Sequence, residues 1–258
     1  MMPEFCKAER DGHLYLVTID RPEVMNALHP PANLELHEIF DAFAADPDLW
    51  VAILTGAGDR AFSAGNDLKF QAAGGRVETP PSGFGGLTHR FDLDKPVIAA
   101  VNGVAMGGGF EIALACDLIV ASERAVFALP EPRVGLAALA GGVHRLPRQI
   151  GWKPAMGIIL TGRRVDASEA LRLGIANEVV PHDELAAAAR RWADQILECA
   201  PLSVRASKQA AMRGLACASL EEAISGRYPA ITEMVRSQDF VEGPRAFAEK
   251  RRPHWQGK

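Results

Sequence analysis

Cysteine is scarce in this chain of 258 residues, which contains only Cys6, Cys116, Cys199 and Cys217. The four residues lie far apart and form neither a CxxC pair nor a metal-binding spacing with histidine, which argues against a disulfide framework or a zinc site. Residues 1–10 carry charges and lack the apolar stretch of a secretory signal. We therefore predict a cytoplasmic protein with no structural metal.

Long apolar runs and an excess of positive charge are also missing. The longest apolar stretch, Val97–Ala105, is interrupted by Asn102 and Gly103 and is too short to span a bilayer. The net charge is −4 and the isoelectric point about 6.0, whereas proteins that bind the phosphate backbone of nucleic acids are usually basic. We expect neither a membrane nor a nucleic acid as a partner.

Three common catalytic motifs are absent. The chain has no GxGxxG dinucleotide fingerprint, no phosphate-binding loop with its lysine, and no GxSxG nucleophile elbow. These absences argue against a nicotinamide-dependent enzyme, a nucleotide hydrolase of the P-loop type and a serine hydrolase of the α/β type.

Short apolar runs bounded by glycine or proline alternate with helical patterns over the first two thirds of the chain, which predicts an α/β fold. A helix after Pro31 presents an apolar stripe of Leu36, Ile39, Phe40 and Phe43. A later helix begins at the capping residue Asp166, with Glu169 in the capping-box position, and ends at Gly174. The predicted strands are Leu14–Ile19, Trp50–Thr55, Pro96–Val101 and Leu118–Ala121.

The last third of the chain is different, because only helical patterns follow Pro201. We therefore predict a core of residues 1–200 and a helical C-terminal region of residues 201–258, which is too small to bury its own apolar stripe. The Gly- and Pro-rich segment Gln71–Arg90 is predicted to be a long loop without secondary structure, either a lid or a plain surface loop.

Glycines 107, 108 and 109 follow a predicted strand and begin a helix, so their backbone N–H groups can approach a ligand at the positive end of that helix. Glu111 lies in the first turn of this helix. A second carboxyl group, Glu131, follows an apolar run and is flanked by two prolines. Two carboxyl groups in apolar surroundings are suited to acid–base catalysis, although either residue also has a plain structural explanation.

A turn of small residues at 62–68 follows the second predicted strand and can direct another backbone N–H group. Two converging N–H groups would form an oxyanion hole.

Together these segments resemble the crotonase (enoyl-CoA hydratase/isomerase) superfamily over nearly the whole chain. The fold implied is α/β, a crotonase-type spiral of ββα units with a helical C-terminal region. The matching segments are Arg21–Leu28, Ala64–Lys69, Lys95–Gly103, Gly107–Glu111, Cys116–Asp117, Pro130–Glu131, Gly141–Gly142, Leu160–Gly162 and Glu242–Arg251.

The resemblance implies that the enzyme reversibly adds water to the double bond of a trans-2-enoyl-CoA thioester. Glu111 and Glu131 would be the catalytic carboxyl groups, and the backbone N–H groups of Asn66 and Gly108 would be the oxyanion donors. Coenzyme A would enter only as part of the substrate, without a further cofactor, and the chain would form trimers or dimers of trimers. The implied contacts with substrate or coenzyme A are Ala64, Asp67, Leu68, Lys69, Leu139, Phe247 and Lys250.

Other functions remain open. Ser82–Thr88, Phe91–Pro96 and Ala246–Lys250 look like carnitinyl-CoA dehydratases, so crotonobetainyl-CoA is an alternative substrate. A Δ3,Δ2-enoyl-CoA isomerase on the same scaffold is a further alternative, and a non-catalytic acyl-CoA-binding protein is one of another class. Leu139 departs from the usual hydratase pattern of a proline and a small residue before the Gly-Gly pair, and we expect it to fill space beside the acyl group.

Overall fold

The computed structural model describes residues 4–76 and 78–258. Ten strands form two sheets, and each predicted strand is confirmed to within one residue at either end. The strands are β1 (Cys6–Asp11), β2 (Leu14–Ile19), β3 (Val51–Gly56), β4 (Ala61–Ser63), β5 (Val97–Val101), β6 (Val104–Met106), β7 (Leu118–Ser122), β8 (Val126–Ala128), β9 (Val165–Asp166) and β10 (Glu178–Val180).

Eleven α-helices are found in the described part of the chain. They are α1 (Pro30–Ala45), α2 (Leu68–Ala72), α3 (Gly108–Ala115), α4 (Gly142–Ile150), α5 (Trp152–Ile159), α6 (Ala167–Leu173), α7 (Leu185–Leu197), α8 (Pro201–Gly214), α9 (Leu220–Ser225), α10 (Pro229–Val235) and α11 (Gln238–Ala248).

From β3 to β8 the strands alternate between the two sheets along the chain. The larger sheet has the order β1-β2-β3-β5-β7-β10, and the smaller has the order β4-β6-β8-β9. Each of β3, β5 and β7 is followed by a short strand of the smaller sheet, and a helix follows β4 and β6. The chain thus repeats a ββα unit, in which a strand of the larger sheet is followed by a strand of the smaller sheet and then by a helix. The predicted α/β spiral is confirmed.

Both faces of the central strands β3, β5 and β7 are buried, which explains why these parallel strands are apolar almost throughout rather than alternating. All five residues of β5 are buried. One face packs against a core that includes α1 and α3, and the other packs against the apolar face of α7. The stripe predicted for α1 is confirmed, since Leu36, Ile39, Phe40 and Phe43 are all buried.

The predicted helix start at Asp166 is confirmed, but its reciprocal capping box is wrong. The Asp166 carboxylate accepts the N–H of Glu169 at 2.8 Å, and Gly174 ends α6 in the left-handed conformation. The Glu169 carboxylate, however, binds the Arg163 guanidinium at 2.7 and 2.8 Å. The charged guanidinium of Arg163 is a stronger partner for the Glu169 carboxylate than the backbone N–H of Asp166, which a capping box would use.

The prediction of one structureless loop over Gln71–Arg90 is wrong for its second half. A single 3₁₀ turn, Phe84–Gly86, packs between α1 and α3. The N–H of Gly85 donates to Asn33 Oδ1 on α1 at 2.7 Å, and Ser82 Oγ lies 2.9 Å from Nδ1 of His37. Glycines allow this segment to approach the helices closely, so it forms part of the core. Val77 of the predicted loop lies outside the described residues.

The C-terminal helices are held to the core through α8. Lys208 binds the Asp117 carboxylate at 2.7 Å, and Gln209 donates to Asp94 at 2.6 Å. The boundary at residue 200 stays a prediction. None of the described helices is both long enough and apolar enough to cross a membrane.

Candidate active site

The site is built around the N-terminus of α3. Strand β6 ends at Met106, and Gly107 then turns the chain with φ 54° so that α3 begins at Gly108. A methyl group on Gly107 would lie 3.0 Å from Oε1 of Glu131. The turn therefore requires glycine both for its backbone conformation and for the approach of this carboxyl group.

A second turn lies directly against this helix end. Gly65 has φ +86°, and a methyl group there would lie 2.6 Å from the carbonyl oxygen of Met106 and 2.8 Å from the nitrogen of Gly108. Only a residue without a side chain permits this contact. Sequence positions 65 and 108, which are remote along the chain, are thereby neighbours in space.

The backbone of Asn66 forms an isolated parallel bridge with Leu28, in which Leu28 donates to Gly65 and accepts from Asp67. This pattern leaves the N–H of Asn66 directed away from Leu28. Neither this N–H nor that of Gly108 has an acceptor among the hydrogen bonds of residues 4–76 and 78–258. Two unpaired donors on adjoining turns are the elements of an oxyanion hole.

Glu111 lies in the first turn of α3 and is 3% exposed. Its Oε1 accepts the N–H of Gly142 at 2.8 Å, and Gly142 is the first residue of α4, where the helix dipole favours negative charge. Burial raises the pKa of Glu111 to about 7, and the negative charge of Glu131 contributes to this rise. The backbone N–H groups of Gly142 and Ala140 oppose it.

Glu131 begins a short 3₁₀ helix, Glu131–Val134, and the prolines on both sides restrict its backbone. Its side chain is half-buried, and Oε2 has no hydrogen-bond partner within the described part of the chain. Burial raises the pKa of this carboxyl group as well. A buried carboxyl oxygen without a partner is costly and is typical of a functional site.

The two carboxyl groups are thus poised to act as a pair. Each is disfavoured in its ionised form by burial, and the charge of Glu131 further disfavours ionisation of Glu111. Because burial and the negative charge of Glu131 disfavour its ionised form, Glu111 keeps its proton to higher pH than an isolated carboxyl group does. One carboxylate can then accept a proton while its neighbour donates one.

The segment at 64–69 has a structural role that the sequence did not indicate. The Asp67 carboxylate caps α2 by accepting the N–H of Phe70 at 3.1 Å and pairs with Arg21 at 3.2 Å. Its carboxylate therefore has two partners within the chain, and its contact with substrate or coenzyme A stays a prediction. The N–H of Ala64 donates to Met25, while Leu68 and Lys69 are exposed.

Three predicted contacts lie on the surface of the single chain. Leu139 is 74% exposed and Phe247 is 87% exposed. Phe247 and Lys250 lie at the C-terminal end of α11, which packs against α10, and no hydrogen bond in the described residues joins them to the N-terminus of α3. Their predicted roles at the acyl group and at coenzyme A remain predictions.

Sequence reasoning missed Phe84 and Arg145. A methyl group on Gly108 would overlap the ring of Phe84, so this ring covers the helix end that carries the predicted oxyanion donor. Arg145 lies one helical turn after Gly141 and acts electrostatically on Glu111. The glycine cluster at 83–86 was a signal of close packing at Phe84, whereas no local pattern pointed to Arg145.

Known proteins resemble this chain over its whole length. A sequence model of the family described as enoyl-CoA hydratase/isomerase matches residues 9–258. Carnitinyl-CoA dehydratases from Citrobacter koseri and Salmonella typhi are each 46% identical over 263 aligned residues, with 100% of both chains covered.

Solved structures agree with this result. An enoyl-CoA hydratase from Mycobacterium tuberculosis superposes with a TM-score of 0.92 at 37% identity, covering 98% of this chain and 99% of that one. A carnitinyl-CoA hydratase from Mycobacterium avium superposes with a TM-score of 0.78 at 43% identity, covering 98% and 99%.

These similarities confirm the predicted crotonase-type fold and the predicted reaction class, that of a hydro-lyase of the hydratase/dehydratase type. With a family match over residues 9–258, the chain belongs to the enoyl-CoA hydratase/isomerase family.

Proposed function

We propose that this enzyme reversibly adds water to a trans-2-enoyl-CoA thioester, with Glu111 and Glu131 as the catalytic carboxyl groups. The observation that carries the proposal is the convergence of the buried Glu111 and the half-buried Glu131 on the N-terminus of α3, beside two backbone N–H groups that have no acceptor in the described residues.

The thioester carbonyl oxygen would accept hydrogen bonds from the N–H groups of Asn66 and Gly108. As water attacks the β-carbon, the electrons of the double bond move toward this oxygen and form an enolate. Donors fixed in advance stabilise that developing charge, and each contributes roughly 3 kcal/mol in other enzymes of acyl chemistry.

The carboxyl pair would supply the proton transfers. The ionised carboxylate accepts a proton from the attacking water, so that oxygen bonds to the β-carbon. The protonated carboxyl group gives its proton to the α-carbon, and the enolate returns to a thioester. The net change is the addition of H and OH, and dehydration runs the same steps in reverse. A carboxyl pKa near 7 suits this exchange because both forms are populated at neutral pH.

This chemistry uses only carboxyl and backbone N–H groups, and coenzyme A enters as part of the substrate. A second candidate substrate is the carnitinyl-CoA and crotonobetainyl-CoA pair. The full-length similarity to carnitinyl-CoA dehydratases, at 46% identity, favours it.

Rates with crotonyl-CoA, longer trans-2-enoyl-CoAs and crotonobetainyl-CoA test both candidates. The highest kcat/KM with crotonobetainyl-CoA would assign the second substrate, and the highest value with a plain enoyl chain would assign the first. A wild-type enzyme that hydrates none of them contradicts the proposed reaction, and an active 3-enoyl-CoA shift would indicate the isomerase.

The carboxyl roles are tested by Glu111→Gln and Glu131→Gln. Glutamine keeps the size and an acceptor oxygen but cannot exchange protons, so we expect kcat to fall at least ~10²-fold while the fold persists. Circular dichroism checks the fold. Turnover close to wild type in either variant removes that residue from the mechanism.

We also propose that the chain assembles as a homotrimer or a dimer of trimers in the cytoplasm. Support for assembly comes from the outward apolar side chains of the C-terminal region. Leu220 and Ile224 of α9 are each 76% exposed, and Val241 of α11 is 66% exposed, which is unusual for a surface that stays in water. All four cysteines are free thiols, which is consistent with a reducing compartment.

A further inference from the structure

Arg145 is a half-buried cation without a carboxylate partner in the described residues. Its Nη2 donates to the carbonyl oxygen of Thr88 at 2.9 Å, and its Cζ lies 5.7 Å from the ring centroid of Phe91. Burial lowers the pKa of its guanidinium. Because burying a charge is costly, the position of Arg145 calls for a compensating interaction.

Glu111 acts electrostatically on Arg145, and both groups lie against the same turn, residues 140–142. Any side chain at Gly141 would overlap the Arg145 guanidinium, and the next residue, Gly142, donates its N–H to Glu111 at 2.8 Å. The Arg145 guanidinium therefore lies against Gly141, and the Glu111 carboxylate is bound by the next residue, Gly142. Movement of this turn would disturb both contacts together.

Arg145 also reaches the other side of the site. Its acceptor Thr88 is fully buried and belongs to the segment 82–91, whose Phe84 covers Gly108. One side chain thus connects the turn that holds the acid–base residue to the segment that packs on the predicted oxyanion donor.

The surrounding charges are few. Glu111 is influenced by the repelling charge of Glu131 and the attracting charge of Arg145. Arg145 is influenced by Glu111 and by Cys116, whose thiol is kept neutral because burial raises its pKa.

On its other side Arg145 lines a cavity of about 580 Å³. Among the charges there, Lys208 pairs with Asp117 at 2.7 Å, and Arg90 pairs with Asp41 and Asp92. The remaining charged residues of that cavity are Arg148 and Arg213.

We propose that Arg145 is a positioning residue that fixes the turn at 140–142 around Glu111 and supplies the counter-charge to its carboxylate. It touches neither water nor thioester in this scheme and acts through Glu111. The assignment of Glu111 as an acid–base group rests on the proposed function, whereas the charge coupling between Arg145 and Glu111 does not.

The coupling is tested without substrate. Urea unfolding between pH 5 and 9 is compared for the wild type and Glu111→Gln, and the pH dependence of their difference in unfolding free energy gives the protonation midpoint of Glu111. The same comparison is made with Arg145→Gln present in both proteins. We expect the midpoint to rise by at least about half a pH unit, because an attracting charge has been removed.

Arg148→Gln is the matched control, since Arg148 lies on the same helix and also donates to a carbonyl oxygen, that of His144 at 2.8 Å. It should leave the midpoint unchanged, and Arg145→Lys, which keeps the charge, should leave it close to the wild-type value. An unchanged midpoint in Arg145→Gln overturns the proposal.

If Arg145→Gln does not fold, the double variant with Glu111→Gln decides the question. Restored folding in the double variant supports the charge coupling, because the carboxylate that needed a partner is gone. If neither Arg145→Gln nor the double variant folds, Arg145 has a purely structural role and the proposal is overturned.

A second readout uses turnover. In Arg145→Gln the acid limb of the pH profile of kcat/KM should move to higher pH, in step with the midpoint measured by unfolding. A shifted midpoint in an enzyme that hydrates no enoyl-CoA would contradict the proposed function alone. An active enzyme whose pH profile and midpoint both stay in place would contradict the role of Arg145 alone.

Discussion

Glu111 is buried, yet its proposed role requires it to lose and regain a proton. The folded protein supports the ionised form through the N–H groups of Ala140 and Gly142 and the charge of Arg145, but burial and Glu131 outweigh these contributions and raise the pKa to about 7. The residue is therefore less stable as a carboxylate in the folded chain than in the unfolded one, and this difference has a measurable effect on stability.

The sign of this effect follows from linkage. A carboxyl group whose pKa is raised on folding binds protons more tightly in the folded state, so stability falls as pH rises from about 4.5 to about 7. Glu111→Gln removes the ionisation but keeps an oxygen for Gly142. We expect the free energy of unfolding at pH 8 to increase by roughly 3 kcal/mol, with the gain vanishing near pH 4.5.

Urea unfolding across this pH range measures the gain. Glu38→Gln is the matched control, because Glu38 is exposed on α1 and should show no such pH-dependent gain. A Glu111→Gln protein that is no more stable than the wild type at pH 8 would contradict the burial cost on which the raised pKa depends.

At the scale of elements, the site depends on the contact between the turn at Gly65 and the N-terminus of α3. Gly65 and Gly74 have similar backbone angles, with φ +86° and +92°, but a methyl group at Gly74 would meet no atom within 4 Å. Alanine at position 74 therefore measures the cost of the backbone conformation alone, whereas alanine at position 65 also measures the cost of the close approach.

Alanine at either position costs about 1 kcal/mol for the left-handed backbone. We expect Gly74→Ala to lose no more than this and to keep full activity. Gly65→Ala must also displace Met106 or Gly108, so it should lose at least a further ~1 kcal/mol and lower kcat at least ~10-fold through a displaced oxyanion donor.

Thermal unfolding and steady-state kinetics on the two variants provide the comparison. Equal stability and equal kcat in both would mean that the approach of the two turns is not required for catalysis.

At the scale of the whole molecule, the C-terminal region has two different surfaces. Helix α8 contributes buried residues and polar contacts to the core, among them Leu202 and Gln209. The outer apolar side chains of α9 and α11 have no cover within the single chain. Truncation at residue 200 would therefore damage the core as well as any assembly, and point substitutions are the sharper test.

We expect Ile224→Ser together with Val241→Ser to shift the protein toward monomers without a loss of secondary structure, because both side chains are exposed in the single chain. Analytical ultracentrifugation measures the mass, and circular dichroism checks the fold. A wild-type protein that is itself monomeric at micromolar concentration would exclude the proposed assembly.

The role of Lys250 at coenzyme A is tested by Lys250→Ala. The loss of a contact made equally in the ground state and the transition state should raise KM with little change in kcat. Lys153→Ala provides the control, since Lys153 is an exposed lysine of α5. An unaltered KM in Lys250→Ala would remove this lysine from the binding site.

Local patterns in the sequence were sufficient for four of the ten described strands (β2, β3, β5 and β7), for α1 and α6, and for the placement of Glu111 in the first turn of a helix. Each depends on neighbours within a few residues, such as the spacing of Leu36, Ile39, Phe40 and Phe43 along α1 or the cap at Asp166. The family and its reaction class followed from the order of motifs along the chain.

Only the tertiary structure decided how remote segments meet. The contact of Gly65 with Gly108, the cover that Phe84 forms over that helix end, and the convergence of Arg145 and Glu111 on one turn all join positions far apart in sequence. The ion pair between Asp67 and Arg21 likewise joins remote positions, and the contact of Asp67 with the substrate stays a prediction. Side-chain partners and pKa values depend on burial and on charges brought near by packing, and no local pattern specifies these.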